Sequence, residues 1–129
     1  MTLPVIEEGA KKSNVLWLGL PSGVRLAWHA WHDGAIYVVT GGQEQSLPGL
    51  AELAAARGEI EVVLRSKDNG AELVRFPAAA EVVDQAAAPE AVAALAKERL
   101  NARDAAGLTT RWAKGSTVVR LTPRINPQT

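Results

Sequence analysis

The chain has 129 residues with 14 Lys+Arg against 14 Asp+Glu, so its formal net charge is +0 and nothing pulls it strongly toward phosphate backbones or anionic lipid. Hydrophobic residues make up 47% and charged residues 22%, the balance of a globular chain and not of a disordered one. Cysteine is absent, which excludes disulfides, iron–sulfur clusters, thiolate zinc sites and cysteine nucleophiles.

Residues 1–13 read as an N-terminal arm, with Glu7 and Glu8 ahead of Lys11 and Lys12 and no apolar core of signal length. No stretch approaches the roughly 20 apolar residues of a membrane span, so a cytoplasmic chain without membrane contact is expected. Asn14 to Leu20 is a short apolar strand stopped by Pro21-Ser22-Gly23. Val24 to His32 reads as one strand that turns at Asp33-Gly34 into Ala35–Thr40, because an Asp-Gly pair tolerates the two positive φ angles of a tight hairpin. That turn predicts His32 opposite Ala35, Trp31 opposite Ile36, His29 opposite Val38 and Ala27 opposite Thr40.

Gly41 to Gln45 reads as a loop, and a helix is expected from Ser46 or Leu47 to about Arg57, with Pro48 in its first turn and Gly58 ending it. Leu47, Leu50, Leu53 and Ala54 share one face of it. Glu59–Lys67 and Glu72–Asp84 form a second hairpin around Asn69-Gly70, which sets Lys67 opposite Glu72, while Pro77 demotes the return strand to a bulge or an edge. Pro89 to about Ala102 is an amphipathic helix with Val92, Leu95, Ala96 and Arg99 on one side. Asp104–Gly115 reads as irregular, Ser116–Thr122 as the last strand, and residues 124–129 as a tail. Five or six strands with two small helices in one domain, 1–129, predict a mainly β, antiparallel barrel with helical plugs.

The stretch VLWLGLPSGVRLAWHAWHDGAIYVVTG resembles the opening of the split-barrel family of pyridoxamine 5'-phosphate oxidase and its flavin- and deazaflavin-dependent relatives. The order that follows, helix, strand pair, helix and a final V-R-L strand, carries the resemblance from Asn14 to Arg124. It implies an FMN-binding-like split barrel, a homodimer, and a cofactor, flavin mononucleotide (FMN) or the deazaflavin F420, in a groove between subunits. It also implies an oxidoreductase acting on a small-molecule substrate.

By the same resemblance Arg25 contacts the cofactor phosphate, Ala27 lines the same strand face, and the Thr40 hydroxyl meets the phosphate. The loop Gly41, Gly42 to Ser46 stands where members carry a hydroxyl and a basic pair before the helix. Here the loop reads GGQEQS, with no Lys or Arg and an added Glu44, and Ala30 stands where oxidase members supply a lysine. A true pyridoxamine-phosphate oxidase is therefore not expected, and Arg65 and Lys67 are the alternative source of positive charge for an anionic tail.

Read as residues, alternation puts Arg25, Ala27, His29 and Trp31 on one strand face with Ile36, Val38 and Thr40. Leu26, Trp28, Ala30 and His32 fall on the other with Ala35, Tyr37 and Val39. His29 and Trp31 are candidate substrate or interface residues, and packing between subunits is the plainer role of such aromatics. The two histidines, His29 and His32, point to opposite faces and do not chelate one metal. The resemblance also offers His29 as a haem ligand, since some split-barrel relatives bind haem. Trp112, beside Arg111 and Lys114, is either a rim for an anionic ligand or a buried plug. Lys67 paired with Glu72 at a solvated hairpin end is the plainer alternative to a cofactor role. No phosphate-binding glycine loop, nucleophile elbow or zincin motif is present, and nucleic-acid binding lacks a basic stripe. A non-enzymatic split barrel whose degenerate cofactor groove has become a dimer or small-ligand-binding surface is the competing function.

Overall fold

Residues 3–13, 15–21, 23–41, 45, 47–65, 71–98 and 111–124 are described in this computed structural model. The elements are α1 (Leu3–Lys12), β1 (Val15–Leu20), β2 (Gly23–Trp28), β3 (Ala30–His32), β4 (Ala35–Thr40), α2 (Leu50–Ala55), β5 (Glu59–Arg65), β6 (Glu72–Val82), α3 (Pro89–Glu98) and β7 (Thr117–Pro123). All strands join one antiparallel sheet in the order β2-β1-β5-β6-β7-β4-β3. β2 and β3 lie at opposite ends of that order, yet His29 alone separates them in the chain. The sheet therefore curls until its two edges meet, giving a barrel left split where β2 and β3 do not pair.

The Asp33-Gly34 hairpin forms as predicted, with φ of 47° and 81° at the turn and Trp31 opposite Ile36 and His32 opposite Ala35. The predicted continuation fails at His29. There the strand breaks, and β2 pairs with β1, setting Ala27 opposite Leu16 instead of Thr40. Alternation survives the break. Ala27, Ile36 and Val38 join the barrel core, with Trp31 packed against it, whereas Ala30, Ala35, Tyr37 and Val39 line the outer cluster.

The arm contains α1. Pro4 sits in its first turn, where a missing N–H costs nothing, and Ile6 and Ala10, one turn apart, are 0% and 3% exposed. Gly9 allows the close approach, because a Cβ there would lie 3.2 Å from Leu64 Cδ1. Inside the barrel, Leu16, Leu18, Val62, Leu64, Phe76 and Leu121 meet α1 and α2 in one core. Outside it, Val92, Leu95 and Ala96 of α3 pack on Tyr37, Val39 and Val118, while Arg99 lies outside the described residues. Residues 111–115 are helical, not irregular, and bring Trp112 onto the same cluster.

Three further expectations are corrected. α2 is shorter than predicted and ends in a Schellman turn, with Gly58 N–H donating to Leu53 O at 2.8 Å and Arg57 N–H to Ala54 O at 3.0 Å. β6 is an inner strand between β5 and β7, not an edge or a bulge at Pro77. Pro77 accepts a hydrogen bond from Arg124 N–H at 2.8 Å, so its missing donor faces the end of the β7 ladder, beyond the last pair at Ala78 and Pro123. Finally, a bulge after Leu64 sets Arg65, not Lys67, opposite Glu72.

Candidate functional site

β2 is a free edge of the sheet. Its outer side chains, Val24 and Leu26, are 65% and 49% exposed, while Ala27 turns inward at 2%. Trp28 continues the outer stripe and is half-buried. Trp28 N–H and C=O face away from β1, because both are bonded to Gln45, and strand periodicity points the main-chain groups of Val24 and Leu26 the same way. Those groups have no partner among the described residues. Arg25 is exposed between them.

Gln45 builds one end of this edge. Its Oε1 accepts from Trp28 N–H at 3.0 Å, and its Nε2 donates to Trp28 O and Val39 O, each at 3.1 Å. The carboxamide thus bridges β2 and β4 across the gap that the break at His29 leaves. Thr40 Oγ1 donates to Gln45 O at 3.1 Å and accepts from Leu47 N–H at 3.1 Å. Gly41 N–H donates to Gln45 O at 3.3 Å, and Ser116 Oγ donates to Gly41 O at 3.0 Å. Gln45 carries no charge and matches no motif, so sequence reasoning passed over it as one loop residue among several.

His29 occupies the seam itself, 3% exposed. Its Nε2–H donates to Ala10 O at 2.9 Å, caps a carbonyl in the last turn of α1, and leaves Nδ1 buried with no partner among the described residues. Burial holds the imidazole below its ordinary pKa, against the smaller opposing effect of the Ala10 bond.

The predicted site residues therefore separate. Arg25 is on the free edge, Thr40 and Gly41 are engaged in closing their own loop, and Ala27 is core. Trp31 packs against the barrel interior, and Trp112 is a plug, 1% exposed, not a rim. Arg65 is at the far side of β1, its guanidinium 5.4 Å from the Trp17 ring centroid and its carbonyl bonded by Ser13. Gly42, Ser46 and Lys67 lie outside the described residues. An open groove of about 420 Å³ lies elsewhere, along Glu59, Glu61, Arg75 and Pro77. Its charges answer one another, since Arg75 pairs with Glu61 and Glu72, and Glu59 with Arg124. The β2 edge, with a cation and main chain unpaired among the described residues, is the better candidate. Among the described residues no helix is long and apolar enough to cross a membrane.

No protein-family model and no curated protein matches this sequence. Solved structures do match its fold. A candidate pyridoxamine 5'-phosphate oxidase of Listeria innocua superposes with a TM-score of 0.63 at 16% identity, covering 95% of this chain and 94% of that one. HutZ, a haem storage protein of Vibrio cholerae, gives 0.63 at 18% identity over 98% and 93%. A conserved hypothetical protein of Mycobacterium tuberculosis gives 0.64 at 20% identity over 97% and 82%. The chain has the split-barrel fold of the pyridoxamine 5'-phosphate oxidase-like proteins.

Proposed function

We propose that the protein is a homodimer that holds FMN or F420 along the free edge of β2 and serves as an oxidoreductase for a small-molecule substrate. The observation that carries this reading is the unpaired edge itself, with Val24 and Leu26 exposed and Arg25 between them. An exposed apolar edge strand invites pairing with another chain, so a partner subunit or a ligand covering it removes a liability. Arg25 offers charge-assisted hydrogen bonds to a phosphate. The unpaired N–H and C=O groups of Val24 and Leu26 match the alternating acceptors and donor on the pyrimidinedione edge that flavins and deazaflavins share. When bound, such a cofactor supplies the hydride chemistry. The chain would bind and orient it and keep water from one side of the groove.

The loop after β4 fits this cofactor less well. Thr40 has both its donor and its acceptor engaged within the loop, so it offers the phosphate no free hydroxyl proton. That observation favours the second reading, a split barrel whose groove holds no cofactor. Haem ligation by His29 finds less support, since the ring is buried and its Nε2 is bonded to α1.

Light scattering of the purified protein, its absorption spectrum, and titration with FMN, F420 and haem decide among these. A dimer binding FMN or F420 at low micromolar concentration, with affinity lost in Arg25→Ala, is the expected result. A monomer, or haem binding unaffected by Arg25→Ala, overturns the proposal. A dimer that binds none of the three establishes the groove without a cofactor.

A further inference from the structure

We infer that a second copy of this chain docks on the outer face of β1 and β2, where Gly19 of each copy forms the notch that receives Val24 of the other. The inference rests on the homodimer reading above, and Gly19 carries it. β1 is an inner strand flanked by β2 and β5, and Gly19 stands in register between Val24 and Glu61. A glycine there gives up side-chain packing and loses more backbone freedom on folding than any other residue. Nothing among the described residues asks for it. Its φ is not positive, and the register of β1 with both neighbours runs without a shift, so neither a turn nor a bulge explains it. A Cβ at 19 would meet only Glu61, at ordinary van der Waals distances of 3.6 Å and 3.8 Å.

The missing side chain opens a gap in the outer face. Leu18 and Leu20 belong to the barrel core, so a side chain at 19 would stand outside with Trp17. Gly19 is exposed, and beside it stand Val24, 65% exposed, and Leu26, 49% exposed and paired with Trp17. A strand glycine whose space its own chain leaves open marks a place where another backbone approaches closely. Knob and notch lie side by side on one patch, about 5 Å apart across the β1–β2 ladder. That is the arrangement an isologous contact needs, since a two-fold axis passing between them brings each Val24 over the other copy's Gly19. Charge agrees with a second copy. The carboxylates bordering the patch are answered within the chain, Glu61 by Arg75 and Glu59 by Arg124, so the border selects no charged partner. The formal net charge of +0 lets two copies meet without repulsion. Arg25 is on the opposite face of β2, so this contact leaves it to the groove.

Sedimentation equilibrium gives the dimer dissociation constant, and urea unfolding below that concentration gives the stability of the single subunit. Gly19→Val is expected to weaken the dimer about a hundredfold, since the filled notch clashes twice per dimer. The single subunit is expected to be as stable as before or more so, because valine suits a strand position with room for its Cβ. Combining Gly19→Val with Val24→Gly moves the knob to β1 and the notch to β2 in every copy, and should recover most of the affinity. A dimer unweakened by Gly19→Val overturns the inference and leaves the homodimer reading intact. If that variant instead loses only FMN or F420 affinity, the notch faces a ligand and the inference falls. A single subunit destabilised by Gly19→Val shows that the chain's own packing requires the glycine and overturns it too. Dissociation by Gly19→Val without recovery in the double variant overturns the mutual seating. An unsubstituted protein that is monomeric overturns both readings.

Discussion

His29 Nε2 lies 2.9 Å from the carbonyl oxygen of Ala10, joining the seam between β2 and β3 to the last turn of α1. A carbonyl only accepts, so Nε2 carries the proton and Nδ1 is the basic nitrogen, buried without a partner among the described residues. Protonating Nδ1 would place a charge in an apolar seam. This is why burial lowers the pKa from the ordinary 6.5.

Stability should follow from that shift. The unfolded chain binds a proton on His29 at a higher pH than the folded one, so the native state is favoured in full above pH 6.5 and loses stability as pH falls below it. The loss is at most about 1.4 kcal/mol per pH unit for a single group. Urea unfolding of the unsubstituted protein and of His29→Asn, each between pH 7.5 and 5, isolates it. The difference between the two should shrink as the pH drops, because an asparagine side chain does not titrate. A constant difference would mean that His29 has the same proton affinity folded and unfolded.

Gln45 makes a different test of the seam. Replacing it with alanine leaves Trp28 N–H, Trp28 O and Val39 O without the carboxamide. At about 1 kcal/mol for each lost bond, Gln45→Ala should cost about 2–3 kcal/mol. Gln45→Glu should cost at least as much, since a carboxylate keeps the acceptor for Trp28 N–H but faces two carbonyls it cannot donate to. Denaturant unfolding at neutral pH reads both, and a Gln45→Glu variant as stable as the original would show that the donors of Nε2 carry no energy.

These two seam residues also mark where sequence reasoning stopped. The Asp33-Gly34 turn was legible because its backbone demand falls on two adjacent residues, and the faces of β3 and β4 because alternation is local. The break at His29 was not. Inner and outer positions keep alternating through it, so the pattern from Val24 to His32 looks like one strand although its halves sit at opposite edges of the sheet. α1 escaped for a related reason: its apolar face consists of little more than Ile6 and Ala10, and the Gly9 that spoils its helix propensity is what lets it approach Leu64. The site suffered most. Whether Trp112 is a rim or a plug depends on where α3 and residues 111–115 come to rest, and no spacing encodes that.

Arg57 has φ of 55° at the left-handed position of the turn that ends α2, a conformation that costs a side chain about 1–2 kcal/mol over glycine. Arg57→Gly should therefore stabilise the protein by about 1 kcal/mol, less the entropy that glycine gains when unfolded. A rise of a few degrees in the thermal midpoint is the expected outcome. The neighbouring Gly58→Ala should do the reverse, because its Cβ would lie 3.0 Å from Leu53 Cγ. If both changes prove neutral, the turn relaxes more freely than its hydrogen bonds suggest.

Leu26 offers the sharpest separation of assembly from folding. Its side chain is 49% exposed on the edge strand, so Leu26→Asp should alter the stability of an isolated subunit by no more than about 0.5 kcal/mol. Buried between two subunits, the same carboxylate would meet its symmetry mate or an apolar surface, and the dimer should dissociate. Val82, 47% exposed on β6, is the control, because Val82→Asp adds the same charge away from the β2 edge. Sedimentation should find Leu26→Asp monomeric, with its circular dichroism unchanged and FMN and F420 affinity lost, while Val82→Asp remains dimeric. The opposite pattern, dissociation by Val82→Asp alone, would move the subunit interface to β6 and detach the cofactor groove from it.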